Sequence, residues 1–218
     1  MRPYPSLALL TACFAFPTAA AAQTDDAPEL WLNPTAEWAL DDDTAVELDT
    51  GQRFRRKSDG RADTSYGRLW LHQELSDALT LSGGIERQTN RPGDDETRLL
   101  QQLSVSRSVL RSRLRLEQRF VEEGRVGVRF RPRLGVELPV GSGERWSAQA
   151  NAELFLTLRS PSPGGEEGLT GMRTQIGAGY RINERLSVSL VYLRQQDIRE
   201  DAPDVVGHAP LLGLELSF

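Results

Sequence analysis

Hydrophobic and polar residues alternate along most of this chain. In Leu110–Phe120 the even positions carry Leu110, Ser112, Leu114, Leu116, Gln118 and Phe120, and the odd ones Arg111, Arg113, Arg115, Glu117 and Arg119. In Arg125–Val140, Val126, Val128, Phe130, Leu134, Val136, Leu138 and Val140 alternate with Arg125, Arg129, Arg131, Arg133 and Glu137. A helix would scatter these charges around its axis, whereas a strand collects them on one face. The same period runs through Trp146–Leu158, with Phe155 as an exception among the polar positions, and through Met172–Ile182. It is weaker in residues 30–40, 44–55, 66–75, 79–89, 97–106, 186–196 and 208–218. This pattern predicts about eleven strands, most close to the roughly 9–11 residues that cross a bilayer at a tilt.

The connections alternate in length. Asp41–Asp43, Ser76–Ala78, Gly141–Glu144 and Asn183–Arg185 are short, while Arg56–Ser65, Asn90–Glu96, Ser160–Gly168 and Asp197–Gly207 are long. The expected fold is therefore all-β: an antiparallel transmembrane β-barrel of about 10–12 strands, with short periplasmic turns and longer outer loops. Bacterial barrels have even strand numbers, so ten or twelve is expected. Ten is favoured, with the barrel proper starting at Thr44 and residues 23–40 lying in the lumen or interrupted. The competing fold is a soluble β-sandwich. Trp38, Trp146, Tyr180 and Tyr192, near strand ends, suit interfacial aromatic belts instead.

Residues 1–22 read as a secretory leader: Arg2, an apolar run from Leu7 to Phe16, and Ala20-Ala21-Ala22 before Gln23. A 23–29 extension and a barrel over 30–218 follow. The one cysteine, Cys13, lies in the leader, where Leu10-Thr11-Ala12-Cys13 also resembles a lipidation box. The 218 residues have a net charge of −5 and a mean hydropathy of −0.44. That balance excludes a polytopic helical membrane protein and gives no basic field for nucleic acid.

Lys57 is the only lysine, so arginine supplies nearly all the positive charge. The predicted inner wall carries the acids Glu37, Glu47, Asp49, Glu74, Glu86, Glu117, Glu137, Glu153 and Glu215. Its bases are Arg53, Arg55, Arg68, Arg98, Arg111, Arg113, Arg115, Arg119, Arg125, Arg129, Arg131, Arg133, Arg173 and Arg181. The candidate functional set is Arg53, Arg111, Arg113, Arg115, Glu117, Arg119, Arg129, Arg131, Arg133, Glu153 and Arg173. It serves either as a closed lumenal network of arginine forks and carboxylates or as an anion-binding lining.

The C-terminus alternates through Leu212, Leu214 and Leu216 to Phe218, with Gly213 five residues before that phenylalanine. It resembles the C-terminal signal read by the barrel-assembly machinery, with Gly213, Leu214, Leu216 and Phe218 as its residues. The sequence offers no cofactor motif and no metal-ligand spacing. His72 reads as a lumenal hydrogen-bonding residue beside Glu74. His208, at the outer rim, is the one handle for a lipid hydrolase, and no nucleophile stands at i+2. Acidic loops such as Asp94-Asp95-Glu96 face lipopolysaccharide or simply solvent.

Several segments together resemble the bacterial domain-of-unknown-function 2490 family of predicted outer-membrane barrels. They are Leu30-Trp31-Leu32, Gln52-Arg53-Phe54-Arg55, Arg113-Leu114-Arg115-Leu116-Glu117-Gln118-Arg119-Phe120, Arg129-Phe130-Arg131-Pro132-Arg133, Glu153-Leu154-Phe155, Met172–Tyr180 and Tyr192-Leu193-Arg194-Gln195. The resemblance spans Trp31 to Phe218 and implies fold and location, with no activity and no catalytic residues. The expectation is a monomeric, non-enzymatic structural or surface barrel in outer-membrane lipid. A small anion-preferring pore or ligand-binding barrel, and a lipid-modifying hydrolase, are the alternatives.

Overall fold

The computed structural model describes residues 25–55, 62–143 and 145–218, with no side-chain detail for 25–27. The predicted leader and Cys13 lie outside the described residues. The described chain forms eleven strands: β1 (Asp25–Ala39), β2 (Thr44–Arg55), β3 (Asp63–Ser76), β4 (Leu79–Arg91), β5 (Glu96–Arg107), β6 (Leu110–Val121), β7 (Gly127–Val140), β8 (Trp146–Arg159), β9 (Gly168–Arg181), β10 (Leu186–Asp197) and β11 (Val205–Ser217). Each pairs antiparallel with its sequence neighbour, and β1 closes the barrel by pairing parallel with β11 from Asp25↔Val205 to Glu37↔Ser217.

The preference for ten strands is thus corrected. Residues 25–39 are neither lumenal nor interrupted; they form a wall strand that begins inside the segment read as a 23–29 extension. The even-number rule assumes an all-antiparallel closure. With an odd count, the first and last strands run the same way, so their seam must be parallel. The chain enters at the long-loop end and finishes at the short-turn end, where Phe218 N donates to Glu37 O at 2.9 Å and Ala39 N to Phe218 O at 3.2 Å.

The interior and exterior are inverted relative to a soluble protein. Leu69, Leu71, Leu81, Ile85, Leu134, Leu138, Ile176, Leu190, Tyr192, Leu212 and Leu214 are exposed on the outside, while the most deeply buried side chains include Glu86, Glu117 and Glu153. Trp146 lies over Tyr180 (4.6 Å between ring centres) and Trp38 stacks on Phe218 (5.7 Å), both at the short-turn end. A ring that is apolar on its face and polar at its tip suits a boundary between hydrocarbon and water.

Gly84 has a specific steric task. A Cβ there would sit 2.5 Å from Cε3 of Trp70, the ring that β3 sends into the lumen. Gly84→Val is expected to lower stability by about 1–3 kcal/mol through overpacking. Urea denaturation in detergent micelles measures this, and tryptophan emission reports the displaced ring.

Candidate functional site

Alternation turns the odd positions of β1, β2, β6 and β7 and the even positions of β3, β4 and β5 inward. Strand pairing then sets their heights. At mid-height and toward the long loops, guanidinium forks and carboxylates form two ionic chains. In the first, Arg68 joins Asp49 (Nη1–Oδ2, 2.5 Å) to Glu86 (Nε–Oε2, 2.7 Å). Arg98 then joins Glu86 (2.6 Å) to Glu96 (2.7 Å), and Arg119 ends the chain on Glu96 (2.5 Å).

The second chain has two carboxylate hubs. Glu117 accepts from Arg129 (Nη2–Oε2, 2.6 Å) and Arg131 (Nη1–Oε1, 2.6 Å). Glu153 accepts from Arg131 (Nη2–Oε2, 2.9 Å) and Arg113, with Arg173 farther away at 3.7 Å. Carboxylates so enclosed are stable only with such charge-assisted bonds, because isolated buried charges are strongly disfavoured.

Aromatic rings close the gaps between the chains. The guanidinium of Arg53 lies 4.2 Å from the Trp31 ring centre, Arg131 lies 4.5 Å from Phe155, and Arg173 lies between Trp31 (4.9 Å) and Phe155 (5.1 Å). Arg115 lies 4.9 Å from Trp70. These are cation–π distances. They explain why Phe155 breaks its strand's polar pattern: it is an inward-facing platform for arginine.

The network borders two cavities of the lumen. A cavity of about 430 Å³ lies on its short-turn side and one of about 130 Å³ on its long-loop side. Arg53, Arg131 and Arg173 line both. The larger cavity runs from these arginines to Glu37, Glu47, Glu215 and Ser217 at the short-turn mouth.

The predicted residues divide accordingly. Arg113, Glu117, Arg119, Arg129, Arg131 and Glu153 join the ionic chains. Arg115 instead meets Oε1 of Gln102 through Nε (2.9 Å) and Nη2 (2.7 Å), and Arg173 meets Oε1 of Gln195 through Nη2 (2.6 Å). Arg111 pairs with Glu137 at 3.3 Å, half exposed near the short turns. Arg53 and Arg133 face the cavity without a carboxylate partner among the described residues.

Two corrections follow. Arg125 is not on the wall; it follows β6 in a loop and bonds to Ser160 O (2.8 Å) and Glu167 (2.9 Å). Glu29 and Glu96, which are not among the predicted wall acids, are buried in it. Glu29 accepts from Trp31 Nε1 (2.6 Å) and Arg55 Nε (3.3 Å). These changes shrink the arginine surplus expected of the lumen without removing it.

His72 hydrogen-bonds through Nδ1 to Ser82 Oγ at 2.8 Å, and its Nε2 lies 3.7 Å from Glu47. Glu37, Glu47 and His72 bring one ligand atom each within 4.8 Å of one another, a geometry able to hold a divalent cation. Their spacing along the chain carried no such signal because they lie on three strands. His208 bonds to the Tyr192 hydroxyl at 2.6 Å, and Tyr192 belongs to the exposed outer face. Gly213, Leu214, Leu216 and Phe218 lie on and just beyond β11, along the parallel seam.

Among known proteins, the family model described as a protein of unknown function (DUF2490) matches residues 29–205. No curated protein matches the chain. Among solved structures, the NanC porin is similar in fold, with a TM-score of 0.56 at 8% identity, covering 84% of this chain and 91% of that one.

Proposed function

The chain belongs to the DUF2490 family, whose function is unknown, and we propose that it is a monomeric structural or surface barrel of the bacterial outer membrane, closed at mid-height. Its apolar band would sit in outer-membrane lipid, with the short turns in the periplasm and the long loops toward lipopolysaccharide. Gly213, Leu214 and Leu216 on the last strand, with Phe218 just beyond it, would present the assembly signal.

One observation carries the closed reading. Arg53, Arg131 and Arg173, stacked on Trp31 and Phe155, line both cavities of the lumen. The fold, shared with a porin, is compatible with either state; this arginine layer favours closure. The hydrolase reading gains no support from His208, whose ring bonds to Tyr192 on the outer face. His208→Ala is accordingly expected to leave lipid A composition unchanged in mass spectra.

Planar-bilayer recording tests the closed state. The folded wild-type barrel is expected to give no steady conductance step. The double variant Arg131→Ala, Arg173→Ala removes two of these three side chains and is expected to conduct. Steady ohmic current through the wild type would refute closure.

A further inference from the structure

The larger cavity is electrically polarised along the barrel axis. At its deep end the carboxylates are already engaged: Asp49 with Arg68 and Asn33 (2.8 Å), and Glu153 with Arg113 and Arg131. Arg53, Arg115 and Arg133 have no carboxylate partner among the described residues, and Arg173 has one only at 3.7 Å. Arg115 is only 5% exposed, and it donates to the neutral amide of Gln102. Arg113 stands directly opposite Arg133, and Arg115 opposite Arg131, across the β6–β7 ladder. Facing like charges are unfavourable in a sheet, and more so where water is scarce. The deep end therefore lacks negative charge.

The mouth has the reverse imbalance. Glu37 stands directly opposite Glu47 across β1–β2, and Glu215 lines the same cavity. None of the three forms an ion pair with an arginine among the described residues. A simple anion entering from this side must pass the acidic mouth, and a simple cation meets the arginines behind it. Glu47 and Arg53, which both line this cavity, lie six residues apart on β2, so the acidic mouth and this arginine are separated by roughly 15 Å along the axis after strand tilt.

We propose that this cavity is a binding site for a small zwitterion, held with its oxyanion inward and its ammonium outward. Arg53, Arg115 and Arg133 would take the oxyanion through guanidinium N–H donors. Glu37, Glu47 and Glu215 would accept from the ammonium. A phosphate or carboxylate carrying an amine a few bonds away presents both charges, the long arginine and glutamate side chains cover the remaining separation, and about 430 Å³ accommodates such a molecule. The site opens through the short-turn mouth and needs no passage through the arginine layer, so it goes beyond the structural role proposed above.

Calorimetry on the full refolded barrel in non-ionic detergent tests it, with ethyl phosphate and O-phosphoethanolamine as probes. Both are expected to bind, the zwitterion roughly fivefold tighter, as one partly exposed ion pair contributes up to about 1 kcal/mol. Glu47→Gln is expected to lower phosphoethanolamine affinity toward that of ethyl phosphate. Gln102→Glu places a carboxylate against Arg115 and is expected to weaken both probes while raising the urea midpoint. Circular dichroism and heat-shifted gel mobility establish that each variant is folded. Absence of binding by either probe, equal affinity for the two, or a Gln102→Glu barrel that binds as tightly as wild type would overturn the proposal. A wild-type barrel that conducts and still prefers the zwitterion would overturn closure alone.

Discussion

Replacing Glu117 by glutamine is expected to lower the stability of the barrel by about 3–5 kcal/mol. Glu117 is 1% exposed, and its two oxygens accept from Nε and Nη2 of Arg129 and from Nη1 of Arg131. Glutamine keeps the shape but offers one carbonyl, and it turns an N–H donor toward a guanidinium that has no lone pair to accept it. Both arginines would then remain in the interior with less opposing charge, which is the costly half of breaking a buried pair. The measurement is the urea midpoint of the heat-shifted gel band in micelles. Glu137→Gln is the control: its pair with Arg111 is partly exposed on both sides, and the change should be within about 1 kcal/mol. Equal losses from the two variants would mean that the ionic network does not hold the barrel together.

The second large effect is expected on the outer face. Ile176, near the middle of β9, is 62% exposed. In a membrane, that surface meets hydrocarbon, and Ile176→Arg is expected to destabilise the barrel in lipid vesicles by about 2–4 kcal/mol. One residue earlier, Gln175 lines the large cavity, and Gln175→Glu is expected to have no comparable penalty. If Ile176→Arg is tolerated in vesicles as well as Gln175→Glu, the band does not contact lipid. A water-facing sheet would accept arginine at Ile176 readily.

The wall was legible in the sequence because a strand's period of two separates lipid-facing from lumen-facing residues without knowledge of any partner. All eleven strands showed the alternation with approximate ends, and only the parity rule argued for ten. β1 was harder, because Pro28 and Pro34 interrupt its alternation and its partner lies at the other end of the chain. The ionic chains were legible only as a list of inward charges. Periodicity gives the face of a residue but not its height, and height decides that Arg131 meets Glu117 and Glu153 while Arg115 finds only Gln102. Glu96 was hidden by Asp94 and Asp95, which made its segment look like a loop. Arg125 had the converse problem: the alternation of β7 continues into the loop before it, although the backbone there has already left the sheet.

The parallel seam also restricts how the chain could be rewired. In an even-stranded barrel the first and last strands meet antiparallel, and their ends lie on the same side. A short linker can join them, and new termini can then be opened at any turn. Here Asp25 and Ser217 lie at opposite ends of the wall, separated by roughly 30 Å of barrel height. On the closed reading proposed above, a covalent connection would have to pass the arginine layer or cross lipid with unsatisfied backbone groups, and neither would be open to an extended linker. Circular permutation is therefore closed to this architecture. Hairpin duplication alone preserves an odd count, so relatives that evolve by adding hairpins keep a parallel seam.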